Sequence, residues 1–348
     1  MNHKLKYYIL IIPFFLILCL GGLSYFIKEK DSFSDYENRY LESEAFPNVE
    51  NYLKDHIPFR KTCLSIHHTK DLLLNKRISN HIYVLNNGYL SDEFKIYDLT
   101  TFKNNLSTLN NYKNPLTILP IPTSNYSLKD DLPLYAYDTN QEDLFHLLQK
   151  NIPNHQVLDL FHEFKNHPEY YYRLDHHWNL KGAYVASKLF LESQHKTIDE
   201  NIPLVTITDD FRGTLYAKSG LLSLHGENLE AIEHNPKVQV TFEDGTISHS
   251  LYFPKHLSRK NCYDYYLDGN HSYVSIENLE ASNNDHLLVI KNSFAHSMIP
   301  YLVPHYKNIT MVDLRYYKLP ISELPYTNIL VLYNMDSLCT DKNILFLK

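Results

Sequence analysis

The sequence predicts an α/β domain on a mainly parallel sheet covered on both faces, carrying an antiparallel insertion and preceded by one N-terminal transmembrane helix. Three observations predict it. Short apolar runs recur between helix-like segments (Leu116–Ile121, Gln156–Leu160, Leu287–Ile290, Ile309–Leu314 and Ile329–Leu332), as strands buried on both faces of a parallel sheet do. Between residues 200 and 275 the pattern changes to alternation and turns, as in VQVTFEDGTISHSLYF. The stretch Tyr7–Ile27 contains no charged residue.

Taken in chain order, Tyr7–Ile27 comes first. At about 1.5 Å per residue it is long enough to cross a hydrocarbon core of roughly 30 Å. Tyr7, Tyr8, Tyr25 and Phe26 sit where interfacial aromatics belong. Lysines at 4 and 6 precede the span and lysines at 28 and 30 follow it, so charge barely sets its direction. The short N-terminal tail and large C-terminal part favour an anchor with the large domain outside the cell. The rival is a cleaved signal peptide, for which Gly22-Leu23-Ser24 offers a small-x-small site.

Residues 28–80 read as a juxtamembrane segment, polar to about residue 50 and then helical through YLKDHIPFRKTCLSIHHTKDLLLN, a helix expected to pack on the main domain. The main domain, 81–348, opens with a strand at Ile82–Leu85 and a hairpin turn at Asn86-Asn87-Gly88. Asn179 is an N-cap for a helix with Ala186, Leu189 and Phe190 at three- and four-residue spacing. Glu243-Asp244-Gly245 is a second hairpin turn, inside the antiparallel insertion around 200–275.

Composition bounds the function. With 44% apolar and 21% charged residues, the chain is globular rather than disordered. A formal charge of −7 lacks the basic footprint that nucleic-acid binding wants. The 29 tyrosines against one tryptophan read mainly as a composition bias, with a sugar-stacking surface as the rival. Cys19, Cys63, Cys262 and Cys339 show no metal-ligand spacing and read as isolated small apolar residues, not a disulfide framework.

The chemistry concentrates in Asp175-His176-His177-Trp178, just before the Asn179 helix. In an extended segment alternate side chains share a side, so Asp175 and His177 are expected together and His176 opposite. A serine hydrolase needs this carboxylate–imidazole pair. The candidate nucleophile is Ser293, in the turn Lys291-Asn292-Ser293 between an apolar strand and a helix from Phe294. There the first N–H groups of the helix are available to an oxyanion. Three other readings compete: a metal site at Asp175-His176-His177, which lacks companion carboxylates in sequence; a purely structural turn; and His296 as an alternative base one helical turn beyond Ser293.

Together, ENRYLE (37–42), KDHIPFRK (54–61), YVLNNGYL (83–90), LDHHWNLKGAY (174–184), FRGTLYAKSG (211–220), VIKNSFAHSMIPYLVPHY (289–306) and VDLRYY (312–317) resemble the bacterial proteins named for the DHHW tetrad. More distantly, the chain resembles the SGNH hydrolase-like domains of the alginate O-acetyltransferases. The resemblance implies a three-layer α/β/α domain with Asp175, His177 and Ser293 as catalytic triad. Those enzymes usually carry Asp-Ser where this chain has Asn292-Ser293. Candidate oxyanion or substrate-binding residues are Arg315, Tyr316, Asn270 and Trp178, the last as a wall under the site or a core anchor. Gly213, Lys218 and Ser219 mark a loop near substrate or a turn opening the insertion.

The implied activity is serine-dependent O-acetyl transfer or ester hydrolysis, without metal or cofactor, on a cell-envelope glycan or acylated sugar. For a transferase, a membrane protein would supply the acyl group. The competing class is a non-catalytic glycan-binding or envelope-assembly protein that keeps the fold.

Overall fold

The computed structural model describes residues 11–12, 14–16, 19, 33–34, 39–44, 46–56, 60–221, 224–259 and 261–347. Most of Tyr7–Ile27, with the Gly22-Leu23-Ser24 site, lies outside these residues. Among the described residues no helix is long and apolar enough to cross a membrane. The chain divides into two compact units, one of residues 1–80 with 216–224, the other of 81–215 with 225–348.

In the first unit, the segment expected to be one helix contains two, Val49–Asp55 and Arg60–Leu73. Pro58 falls between them and removes a backbone donor that a continuous helix needs. Asn48 caps the first helix by accepting from the Asn51 N–H.

The second unit is built on an eight-stranded sheet. Its strands are β1 (Thr117–Ile121), β2 (Gln156–Val157), β3 (Val238–Phe242), β4 (Ile247–Ser248), β5 (Tyr273–Asn278), β6 (His286–Lys291), β7 (Asn308–Val312) and β8 (Asn328–Asn334). The spatial order is β4-β3-β5-β7-β6-β8-β1-β2. From β7 to β2 every pairing is parallel, and from β4 to β7 every pairing is antiparallel. The antiparallel insertion expected around 200–275 is therefore not one appendage. Its second half lengthens the main sheet at one edge, while Leu204–Phe211 and Glu227–Ile232 form a separate antiparallel pair. Alternation in β3 and β5 fits this place, since only alternate residues there are buried.

Period-two alternation sorts the parallel strands onto two cores. On one face Leu287 and Val289 join Leu330, Leu332 and Leu119. Against them lie α-helices Leu180–Ser193 and Ala295–Leu302, through Ala186, Phe190, Met298 and Ile299. On the other face Leu288, Ile290, Val331 and Ile118 meet Phe102, Leu106, Leu144 and Leu338, from helices Thr100–Asn110, Gln141–Asn151 and Met335–Thr340. Helices thus cover both faces of the sheet.

Both hairpin turns form. Gly88 (φ 85°) and Gly245 (φ 82°) adopt the left-handed backbone that glycine takes without a Cβ penalty. The Gly245 N–H closes the second turn on the Phe242 carbonyl at 3.0 Å. Cys19, Cys63, Cys262 and Cys339 are all free thiols.

Candidate active site

The DHHW tetrad sits in a tight turn, not an extended segment. Tyr171 and Trp178 form an antiparallel bridge, the Tyr172 N–H donates to the His177 carbonyl at 3.2 Å, and Asn179 N–H donates to Tyr170 carbonyl at 2.9 Å. Asp175 Oδ1 accepts the His177 backbone N–H at 3.0 Å, an Asx-type turn that curls the chain. Glu227 grips the entry to this turn, accepting the N–H groups of Arg173 at 2.9 Å and Leu174 at 2.7 Å. Burial raises the Glu227 carboxyl to about 7 even against those two bonds.

The curl corrects one expectation. His176 does not face away from His177; the ring centroids are 3.9 Å apart. His176 Nδ1 donates to Thr214 Oγ1 at 2.6 Å, and the Thr214 hydroxyl donates to Asp175 Oδ2 at 3.0 Å. With one turn in place of a strand, the alternation rule no longer assigns sides.

Asp175, His177 and Ser293 come together in a line. The His177 Nδ1–H donates to Asp175 Oδ1 at 2.5 Å, and His177 Nε2 lies 2.7 Å from Ser293 Oγ. Asp175 is fully buried and His177 nearly so. Burial opposes ionisation of Asp175, but the imidazoles of His177 and His176 and the Thr214 N–H at 2.7 Å outweigh it. The carboxyl is held well below its usual range. An ionised Asp175 fixes the His177 proton on Nδ1 and leaves the Nε2 lone pair facing the serine hydroxyl, the tautomer a general base requires.

Gly213 makes room for this carboxylate. A Cβ at Gly213 would stand 2.2 Å from Asp175 Oδ2, so only glycine lets the backbone approach so closely. Of the loop read as Gly213, Lys218 and Ser219, Gly213 packs on Asp175, whereas Lys218 and Ser219 fall in helix Thr214–Ser219 and belong to the first unit.

Ser293 follows β6 at the carboxyl edge of the parallel strands and precedes helix Ala295–Leu302. Asn292 builds its turn: Oδ1 accepts the Phe294 N–H at 3.2 Å, and Nδ2 donates to Asn334 Oδ1 at 2.9 Å. An aspartate could accept from Phe294 but could not donate to Asn334. The Asn292-Ser293 pairing is thus matched by an asparagine at the end of neighbouring β8. Among the described residues, the Ser293 amide N–H donates to no backbone acceptor.

Trp178, grouped with the substrate-binding candidates, takes the core-anchor role. It is completely buried, and its indole N–H reaches the Phe294 carbonyl at 3.0 Å and Ser297 Oγ at 2.9 Å, which pins the start of the serine's helix. Arg315 forks onto Asp313, with Nε to Oδ1 at 2.9 Å and Nη2 to Oδ2 at 2.6 Å. Its Nη2 also donates to Asn270 Oδ1 at 3.2 Å. Asp313 follows β7, the strand beside β6, so Arg315 and Asn270 share the sheet edge with Ser293 without bonding to it. Tyr316 is half-exposed, its ring 5.3 Å from the Arg315 guanidinium.

His296, the rival base, is engaged elsewhere. Lys291 Nζ donates to His296 Nε2 at 2.9 Å and lies 3.6 Å from Asp313 Oδ2. His296 is fully buried, and burial followed by the Lys291 charge pushes its imidazole well below the usual range. Burial also pulls Lys291 down to about 8, although Asp313 pulls the other way.

Asp175, His176 and His177 each offer a ligand atom within 4.8 Å of the others. Within this group His176 Nδ1 is bonded to Thr214, and Asp175 and His177 are bonded to each other and to Thr214 and Ser293.

A family model described as "DHHW protein" matches residues 79–312. The chain belongs to the DHHW family. Comparison with curated proteins gives no match. Among solved structures, the chain is similar to a DHHW family protein from Eubacterium siraeum DSM 15702, with a TM-score of 0.66 and 21% identity, covering 77% of this chain and 95% of that one. It is also similar to Bacillus cereus PatB1 carrying a sulfonyl adduct, with a TM-score of 0.62 and 20% identity, covering 77% and 98%. A more distant likeness is to the O-acetyltransferase domain of Pseudomonas putida AlgJ, with a TM-score of 0.48 and 14% identity, covering 74% and 92%. With the Eubacterium siraeum protein and PatB1 the DHHW chain shares a fold, the mixed α/β sheet.

Proposed function

We propose that this DHHW protein is a serine-dependent acyltransferase or esterase, and that its substrate is an O-acylated cell-envelope glycan. The observation that carries the reading is the 2.7 Å approach of His177 Nε2 to Ser293 Oγ, with buried Asp175 behind the ring. A structural turn needs no such alignment of carboxylate, ring and hydroxyl.

In the proposed reaction Ser293 Oγ attacks the acyl carbonyl as its proton passes to His177 Nε2. The carbonyl electron pair moves onto oxygen, next to the Ser293 amide N–H. Collapse expels the donor's leaving group, a sugar alkoxide in the esterase form, which takes the proton from His177, and an acyl-serine remains. A second sugar hydroxyl or water, deprotonated by His177, then attacks the acyl-serine carbonyl; the acyl–Oγ bond breaks, and His177 Nε2 returns the proton to Ser293 Oγ. Asp175 stays ionised and orients the ring throughout. An acetyl group and an extracytoplasmic domain anchored by Tyr7–Ile27 complete the proposal; a membrane protein supplying the acyl group belongs to its transferase form.

Bacillus cereus PatB1, which shares the fold, is described with a sulfonyl adduct. An arylsulfonyl fluoride is therefore the reagent of choice. It should modify wild type at Ser293, located by peptide mass mapping, and leave Ser293→Ala unmodified. Acetyl release from a model ester and transfer to an oligosaccharide should follow the same pattern. No modification, together with no turnover of either substrate, would overturn the reading in favour of a binding or assembly protein.

A further inference from the structure

Beyond the triad, one ring is placed more closely on the base than any other. Tyr263 lies with its ring 3.7 Å from that of His177, centroid to centroid, and within 3° of parallel. The two rings are therefore in direct face contact. A cationic ring over an aromatic face is attracted. The geometry therefore suits imidazolium, the form His177 takes while it holds the serine's proton, better than neutral imidazole.

The tyrosine is not free to slide away. Its hydroxyl bonds the Ser293 carbonyl at 3.3 Å and Ser297 Oγ at 3.1 Å. Tyr172 and Tyr266 meet its ring edge-on, at 6.5 Å and 5.4 Å. The hydroxyl bonds belong to the neutral phenol, since burial raises Tyr263 far above the ordinary phenol range. The other groups facing His177 are Asp175, the His176 ring, the Ser293 hydroxyl and the Phe294 ring at 4.9 Å. The His296 ring centroid is 6.3 Å from that of Tyr263.

We propose that Tyr263 is a positioning residue for the base: its face holds the His177 ring in line with Ser293 and favours the ring's protonated state during acyl transfer. The inference rests on His177 acting as base in the proposed reaction. Tyr263 does not touch the reacting atoms; it acts through the imidazole.

The test replaces Tyr263 with Phe, with Leu, and with phenylalanines bearing one, two and three ring fluorines. Fluorination drains the aromatic face stepwise while keeping the ring. Two readouts are followed: the His177 midpoint from NMR titration of its ring protons, and the pH profile of kcat/KM for ester turnover. Tyr263→Phe should keep the midpoint within a few tenths of a pH unit and turnover within about threefold. Tyr263→Leu should lower the midpoint by about half to one pH unit. It should reduce kcat with little change in KM. Along the fluorine series the midpoint should fall step by step, with the acid limb of the profile moving in parallel. A midpoint unmoved across the fluorine series would overturn the proposal, and that series decides the matter even if Tyr263→Leu fails to fold. The NMR midpoint needs no turnover, so a protein inert towards esters and sulfonyl fluoride would sink the enzymatic reading while the ring effect is still measured.

Discussion

Two buried clusters flank Ser293, and they hold nearly the same chemical groups. Each has a carboxylate with no exposure, Asp175 or Asp313, and a buried histidine, His177 or His296. The Tyr263 ring is 3.7 Å from the His177 ring and 6.3 Å from the His296 ring. They differ in what occupies the histidine nitrogens. Asp175 accepts the His177 Nδ1–H and leaves Nε2 to the serine hydroxyl. In the second cluster the carboxylate is taken by Arg315 and Lys291, and Lys291 caps His296 Nε2. Among the described residues His296 Nδ1 has no hydrogen-bond partner. A histidine becomes a candidate base through the connection of its two nitrogens, not through its nearness in sequence to the serine.

The comparison breaks first, and most heavily, at the acting pair. Ser293→Ala and His177→Ala should each lower ester turnover by about a millionfold, and the double variant should be no slower, because the two work as a unit. Additive losses in single-turnover assays would show that they do not. Asp175→Asn should lower kcat by about ten-thousandfold, since an amide no longer dictates the imidazole tautomer; turnover near wild type would mean that the ring is oriented by something else.

Gly213→Ala comes next. Its Cβ has no room beside Asp175 Oδ2, so the carboxylate must shift, and we expect kcat to fall about tenfold to hundredfold. An unchanged rate would show that the loop yields instead. In the second cluster, His296→Leu should keep turnover within about fivefold of wild type while costing about 1–3 kcal/mol of stability, because Lys291 loses its partner. Chemical denaturation measures the second quantity; a collapse of turnover in a stable His296→Leu protein would restore His296 as a base.

The smallest effect is a pH slope. The Lys291 ammonium is held at about 8 in the folded protein against an ordinary value of 10.5. Above 8 the folded chain has released a proton that the unfolded chain retains, so stability rises with pH between about 8 and 10.5. This contribution is complete above 10.5 and lost as pH falls through 8. Lys291→Met should flatten that part of the stability profile relative to wild type; identical profiles would place the lysine outside the titration.

Legibility in the sequence followed chemistry and period. Asp175, His177 and Ser293 stood out because their residue types and the strand–serine–helix pattern imply one another, and the parallel strands because each is an uninterrupted apolar run. The orientation of His176 was not legible, since it depends on an Asx turn that looks like any extended tetrapeptide. Thr214, Glu227 and Tyr263 carry no local signal. Thr214 follows a short loop, Glu227 opens an edge strand, and Tyr263 lies in a one-turn 3-10 helix among neighbouring tyrosines. The antiparallel edge escaped for a related reason: alternation announces a half-buried strand but not the sheet it joins.

The remoteness of these contacts in sequence has a consequence for how the chain matures. His177 and Ser293 are 116 residues apart, and Thr214 reaches Asp175 across 39. Closing such loops is slow and gains little until the surrounding sheet is in place. No short stretch of the newly made polypeptide therefore carries both the hydroxyl and its proton acceptor. If Ser293 is the nucleophile proposed above, its reactivity arrives only with the last stage of assembly, so a nicked, stalled or misfolded copy should be inert towards sulfonyl reagents rather than promiscuously reactive.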